Sequence, residues 1–211
     1  MWRDFQCSER TLCARNREYG EWHKGRSEYA VWTIDLHSES IRSRFQSARA
    51  HLSGFLLAPY RRQPHVTVFV CGFPAEAERL NDDYSIRKLE GHLQALRTEE
   101  LSPFEIKIGG INSFSSAPFL EVFDDSGGIE QIRALLAKTH TEVRMNAYVP
   151  HVTLGLYADH YEAAVVEERI CSFGTSSPIP HVVEQIHLTT YAACEIAGPL
   201  TAKHKVDFDG G

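Results

Sequence analysis

The chain has 211 residues, with 43% hydrophobic and 24% charged side chains, values of an ordinary globular protein that exclude wholesale disorder and collagen-like or coiled-coil composition. Its formal net charge of −6 is unevenly spread: residues 1–62 hold eleven Lys and Arg to seven Asp and Glu, and the rest holds eleven to twenty-one. An acidic body argues against tight non-specific nucleic-acid binding, which needs many neutralised phosphates, but leaves room for a small anion held by a few aimed groups.

No run approaches the ~18 consecutive apolar residues of a membrane span. The opening Met1-Trp2-Arg3-Asp4 has no apolar stretch after its charge, so no signal peptide is expected. The five cysteines are scattered without a CxxC pair and read as reduced thiols of a cytoplasmic protein.

In chain order, residues 1–27 show neither period 2 nor period 3.6 and predict an irregular arm with one helical turn. Residues 29–36, rich in β-branched and aromatic side chains, predict a strand. Ser38 then caps a helix with Ile41, Phe45, Ala48 and Leu52 on one face, ended by Gly54. Residues 64–71 predict a second strand, punctuated by Gly72-Phe73-Pro74, and residues 81–98 a helix. Strands follow at 104–108 and 119–123. A helix opened by Gly127-Gly128 runs through Ile132, Leu135 and Leu136 to Val143, and residues 151–157 form a strand. Residues 160–170 predict a helix, and 182–191 and 203–208 two last strands with Pro199 in the turn between them.

The order of types repeats. Pro64-His65-Val66-Thr67 recurs as Pro150-His151-Val152-Thr153 at a shift of 86 residues, and that shift also carries the strand near 31–36 and the helix near 38–52 onto elements of the same type. The chain reads as a duplication, two lobes related by a rough twofold. One such tetrapeptide alone describes an ordinary strand start with a solvated histidine. Two in the same slot of a repeated order describe a site.

In a strand, residues i and i+2 share a face ~7 Å apart, so His65 points with Thr67 and His151 with Thr153, while Val66, Val68, Val152 and Leu154 face the packing layer. If the lobes face each other, two imidazoles and two hydroxyls converge on a cleft suited to a tetrahedral phosphate. Hydroxyls donate to its non-bridging oxygens. Imidazoles, with an ordinary pKa near 6.5, supply one neutral base and one protonated acid near neutral pH. A strained cyclic phosphodiester is activated enough to be opened by such a pair without a metal.

Two Pro-His-x-Thr strands about 90 residues apart in a chain of this length resemble the 2H phosphoesterases, the two-histidine superfamily of 2′–5′ RNA ligase-like proteins and RNA cyclic phosphodiesterases. The resemblance covers about residues 28–208 and leaves the arm at 1–27 outside. It implies an α+β bilobal domain built from duplicated strand–helix–strand units, with two antiparallel sheets lining a central cleft. It also implies metal-independent opening of 2′,3′-cyclic or 2′–5′-type phosphodiesters with His65 and His151 catalytic and Thr67 and Thr153 on the phosphate. The expected partner is a small nucleotide or a short RNA end, with no cofactor, no membrane, and a monomeric chain.

Around the motifs, Arg61 or Arg62 can reach a phosphate or lie in a surface loop, Tyr148 can stack a base or pack as a core aromatic, and Phe114 and Phe119 flank a loop able to wall the cleft. Gly109-Gly110 and Gly127-Gly128 lack phosphate-loop spacing and read as turns. Three rival readings stay open. A metallohydrolase would use His151, Asp159, His160 and His181, though no HExxH spacing is present. An idle nucleotide- or RNA-binding module would use the same cleft. Ligation of RNA ends would run the chemistry in reverse.

Overall fold

The computed structural model describes residues 5, 7–99, 101–143, 147–174 and 177–208. Among the described residues, nine strands form two sheets: β1 Glu28–Asp35, β2 His65–Ala75, β3 Asp83–Ser85, β4 Phe104–Ser113, β5 Pro118–Phe123, β6 His151–Thr153, β7 Ile179–Val183, β8 Gln185–Ala192 and β9 Thr201–Asp207. Helices that connect or flank them are α1 Gly20–His23, α2 Glu39–His51, α3 Ile86–Thr98, α4 Gly128–Ala137 and α5 Ala163–Cys171. One sheet has the order β3-β2-β1-β8-β9 and the other β6-β5-β4-β7. The fold is the expected α+β one with two sheets, and all pairings are antiparallel except the short β2–β3 contact.

Strand β1 is buried along nearly its whole length because it lies between β2 and β8 with helices behind it. Its Trp32 and Ile34 enter the main core with Ile41 and Phe45 of α2, Val66 and Val68 of β2, and Val152 and Leu154 beside β6. Ser38 caps α2 as its position predicts, its hydroxyl accepting from the Ile41 N–H at 3.4 Å. The next lobe starts its helix differently: the Asp124 carboxylate accepts from the Gly128 and Ile129 N–H groups at the head of α4.

Several boundaries differ from the sequence pattern, each for a physical reason. Residues 83–85 are a strand, because they add in parallel to Phe73–Ala75 before Ser85 caps α3 by accepting from Lys88 N–H. Strand β2 therefore runs through Gly72-Phe73-Pro74 to Ala75. The predicted helix to Val143 stops at Ala137, and Val143 donates instead to the Val70 carbonyl at 3.2 Å. The strand after His151 closes at Thr153, beyond which residues 156–158 bond with residues 55–57. The predicted strand 182–191 is two, broken at Glu184: Val183 pairs with Phe104 in one sheet and Gln185 with Asp207 in the other.

The arm packs on both sheets. Thr11 and Ala14 N–H groups bond Tyr161 and Tyr157 carbonyls, Leu12 N–H bonds Ser115, and Phe5 sits in the core. Further along, Trp22 packs on Tyr29 and Phe73, and Arg26 pairs with Asp82 and Asp83.

Gly72 is required where it stands. Its φ is +112°, and a Cβ there would meet the Asp82 carbonyl oxygen at 2.2 Å, backbone that cannot move aside while Phe73 N–H bonds the same oxygen. Gly72→Ala should destabilise the protein by about 2–4 kcal/mol. Gly54→Ala, at a position with open space and no positive φ, should stay within about 1 kcal/mol. Urea denaturation of the two variants checks the contrast.

Candidate active site

The two histidines occupy matching places. His65 opens β2 opposite Asp35 of β1, and His151 opens β6 opposite Glu121 of β5; Thr67 lies opposite Thr33 and Thr153 opposite Phe119. Every member of the second set stands 86 residues after its counterpart in the first. The repeat seen in four letters thus extends to strand register.

The ring orientations match as well. His65 Nδ1 lies 2.7 Å from the Gln63 carbonyl, and His151 Nδ1 lies 2.7 Å from the Val149 carbonyl. A carbonyl only accepts, so Nδ1 carries the proton in both rings. The anchors are again 86 residues apart.

The environments differ. His65 is 6% exposed, and burial above all pushes its pKa down to about 4, with the Arg62 charge and His151 adding to the shift against the Gln63 carbonyl and Asp35. It is neutral at pH 7. His151 is half-buried and boxed by aromatics: Phe114 and Phe119 present edges at 5.0 and 5.4 Å between centroids and stack on each other at 4.3 Å. Strands β2 and β6 pack against each other, and Thr67 and Thr153 are both half-buried.

Among the flanking candidates, Arg61 pairs with Glu195 on the surface. Arg62 stacks over Tyr191 at 3.9 Å, donates to the Gly198 carbonyl at 3.3 Å, and its charge reaches His65. Phe114 stands against His151. Tyr148 donates its hydroxyl to the Thr67 carbonyl at 3.0 Å, and Arg133 covers one face of its ring at 3.7 Å. His181 belongs to β7 of the four-stranded sheet and His160 to the segment contacting the arm, where its Nδ1 lies 2.9 Å from the Thr11 carbonyl. Among the described residues, no group of three or more His, Cys, Asp or Glu is arranged to hold a metal ion, and no helix is long and apolar enough to cross a membrane.

Sequence reasoning passed over the acidic neighbours. Asp35 lies 3.2 Å from His187 Nδ1 on β8 and accepts from the Thr33 hydroxyl, and Glu121 accepts from the Asn112 amide on β4 at 2.8 Å. Their signal was available: Asp35 and Glu121 obey the same 86-residue shift as the motifs.

A family model described as the 2′-5′ RNA ligase superfamily matches residues 37–194, three quarters of the chain and both motifs. The chain belongs to the 2′-5′ RNA ligase superfamily. Its resemblance to the 2H phosphoesterases, carried by the two motifs, is thereby shown over most of the duplicated body. Solved structures agree on the fold of this superfamily member. It is similar to Escherichia coli LigT complexed with 3′-AMP at 16% identity and a TM-score of 0.61, over 86% of this chain and 98% of that one. It is similar to TT0787 of Thermus thermophilus at 16% identity and a TM-score of 0.57, over 85% and 97%. No curated protein matches the chain in sequence. Membership places the chain among phosphoesterase- or ligase-type proteins.

Proposed function

We propose that the chain opens 2′,3′-cyclic or related 2′–5′-type phosphodiesters of small nucleotides or short RNA ends, with His65 and His151 as proton-transfer groups and no metal. The observation that carries this reading is the matched pair: two His-x-Thr strands of equal register, each ring tethered through Nδ1 to the carbonyl two residues before it. Binding alone needs no such tautomer control. E. coli LigT has been solved with 3′-AMP, ATP and NADP+, which supports a nucleotide as occupant.

The buried, neutral state of His65 favours a division of roles in this reading. Neutral His65 takes a proton from the attacking water as its oxygen bonds phosphorus, and His151 gives a proton to the ribose oxygen as the ring P–O bond breaks. The product is a nucleoside monophosphate. Thr67 and Thr153 donate to the non-bridging oxygens, where charge accumulates. Phe114 offers an apolar wall for the nucleoside beside His151, and Arg62 adds positive potential on the His65 side.

Incubating EDTA-treated protein with a panel of nucleoside 2′,3′-cyclic phosphates and 2′–5′-linked dinucleotides, with products separated by chromatography, tests the reading. Turnover unchanged by EDTA is expected, whereas activity that appears only with added zinc or magnesium would return the case to a metallohydrolase. The profile of kcat/KM against pH should be bell-shaped. Its acid limb should lie well below the ordinary imidazole value, near the depressed His65 pKa of about 4.

A further inference from the structure

The motif strands are held from the opposite lobe. Tyr60, five residues before His65, donates its hydroxyl across to the Thr153 carbonyl at 3.1 Å, and Tyr148, three residues before His151, donates to the Thr67 carbonyl at 3.0 Å. Each tyrosine lies under an arginine: Arg49 of α2 over Tyr60 at 4.5 Å and Arg133 of α4 over Tyr148 at 3.7 Å. Each arginine bonds the next carbonyl along, Arg49 that of Leu154 and Arg133 that of Val68. Backbone bonds repeat the crossing, Leu57 N–H to the Leu156 carbonyl and Val143 N–H to the Val70 carbonyl, once more at the 86-residue shift.

Resting on the functional reading above, we infer that Tyr60 with Arg49, and Tyr148 with Arg133, are positioning residues that fix each His-x-Thr strand relative to the other lobe. Capping of unpaired strand carbonyls is a service any edge requires. Here it is performed twice, on the same two carbonyls of each motif, by side chains from the lobe across the site. The separation of two proton-transfer groups serving one phosphate is thereby set by four donors rather than by strand contacts alone. Misplacement of a catalytic group by ~1 Å can cost ~10²-fold, so such bracing bears directly on rate. Tyrosine suits the task because its ring is stacked and its hydroxyl has one target; the arginine above it restricts the ring and supplies a charge-assisted bond to the adjoining carbonyl.

Tyr60→Phe and Tyr148→Phe keep the ring and its arginine and remove only the donor. Long-range 1H–15N spectra of the imidazoles in the free protein provide a readout that does not require turnover. Tyr60→Phe should perturb His151 and spare His65, and Tyr148→Phe should do the reverse, although each tyrosine is the sequence neighbour of the histidine it spares. Perturbation of the neighbouring histidine instead, of both equally, or of neither, would overturn the inference. With a 2′,3′-cyclic substrate, each change should lower kcat/KM roughly tenfold. Tyr60→Phe should be non-additive with Thr153→Ala and additive with Thr67→Ala, and Tyr148→Phe the converse. A wild-type protein without turnover would remove the functional reading, and the histidine spectra would still decide the crossing.

Discussion

His65→Ala and His151→Ala are each expected to lower turnover of a 2′,3′-cyclic substrate by roughly 10²–10⁴-fold, the usual contribution of one placed acid or base. The double variant should be little worse than either, because the two imidazoles act on opposite oxygens of one displacement and neither is useful alone. Thr67→Ala and Thr153→Ala should be milder, at about 1–3 kcal/mol each, the cost of one lost donor to a charged acceptor. All four variants should fold, since the packing face of these strands is Val66, Val68, Val152 and Leu154, every one fully buried. Steady-state kinetics with melting curves checks both statements. A double variant with near wild-type turnover would place the chemistry elsewhere, and one dispensable histidine would require a single-base mechanism.

Acid should destabilise the fold well before its carboxylates titrate. His65 and His92 are both buried and neutral, pushed down chiefly by burial to about 4 and about 3. His92 accepts the Trp32 Nε1–H at 3.1 Å, has the Tyr84 hydroxyl 2.9 Å from the same nitrogen, and donates Nε2–H to the Leu136 carbonyl. The unfolded chain binds protons on both rings below about 6.5, where the folded chain does not. The stability they contribute is therefore complete above that pH and is lost as pH falls toward the folded values. Between pH 7.5 and 5 the two together should cost about 4 kcal/mol, a large share of the roughly 5–15 kcal/mol available to a domain. Urea midpoints at the two pH values measure it. His92→Gln should be less stable at pH 7.5 but show about half the acid sensitivity, and an unchanged sensitivity would contradict the assignment.

The duplication was legible because a rare feature, Pro-His-Val-Thr, happened to survive intact in both halves, and because strands such as Phe104–Ile108 alternate in period 2. Ser38 announced α2 through its own chemistry. The change of sheet at Glu184 was not legible, since Val182-Val183 and Ile186-His187-Leu188 are equally good strand and no turn residue separates them. The three-residue β3 is not legible as a strand because its identity comes from the edge of β2, not from local propensity. The crossed bracing was hidden for a similar reason. Arg49 and Arg133 occupy helical positions where a solvated arginine is the ordinary expectation, and only the return of the chain over the opposite lobe gives them carbonyls to bind. Asp35 and Glu121 are the exception, because they obey the same 86-residue shift as the motifs.

Whether two matched histidines open a cyclic phosphodiester without a metal is tested most directly by 31P NMR. A nucleoside 2′,3′-cyclic phosphate is followed in EDTA, once with wild-type protein and once with His65→Ala. Wild type should replace the cyclic resonance by that of a monophosphate, and the variant should leave the ring intact on the same timescale. A ring that persists with wild type, or that opens equally fast with the variant, would contradict the two-histidine mechanism.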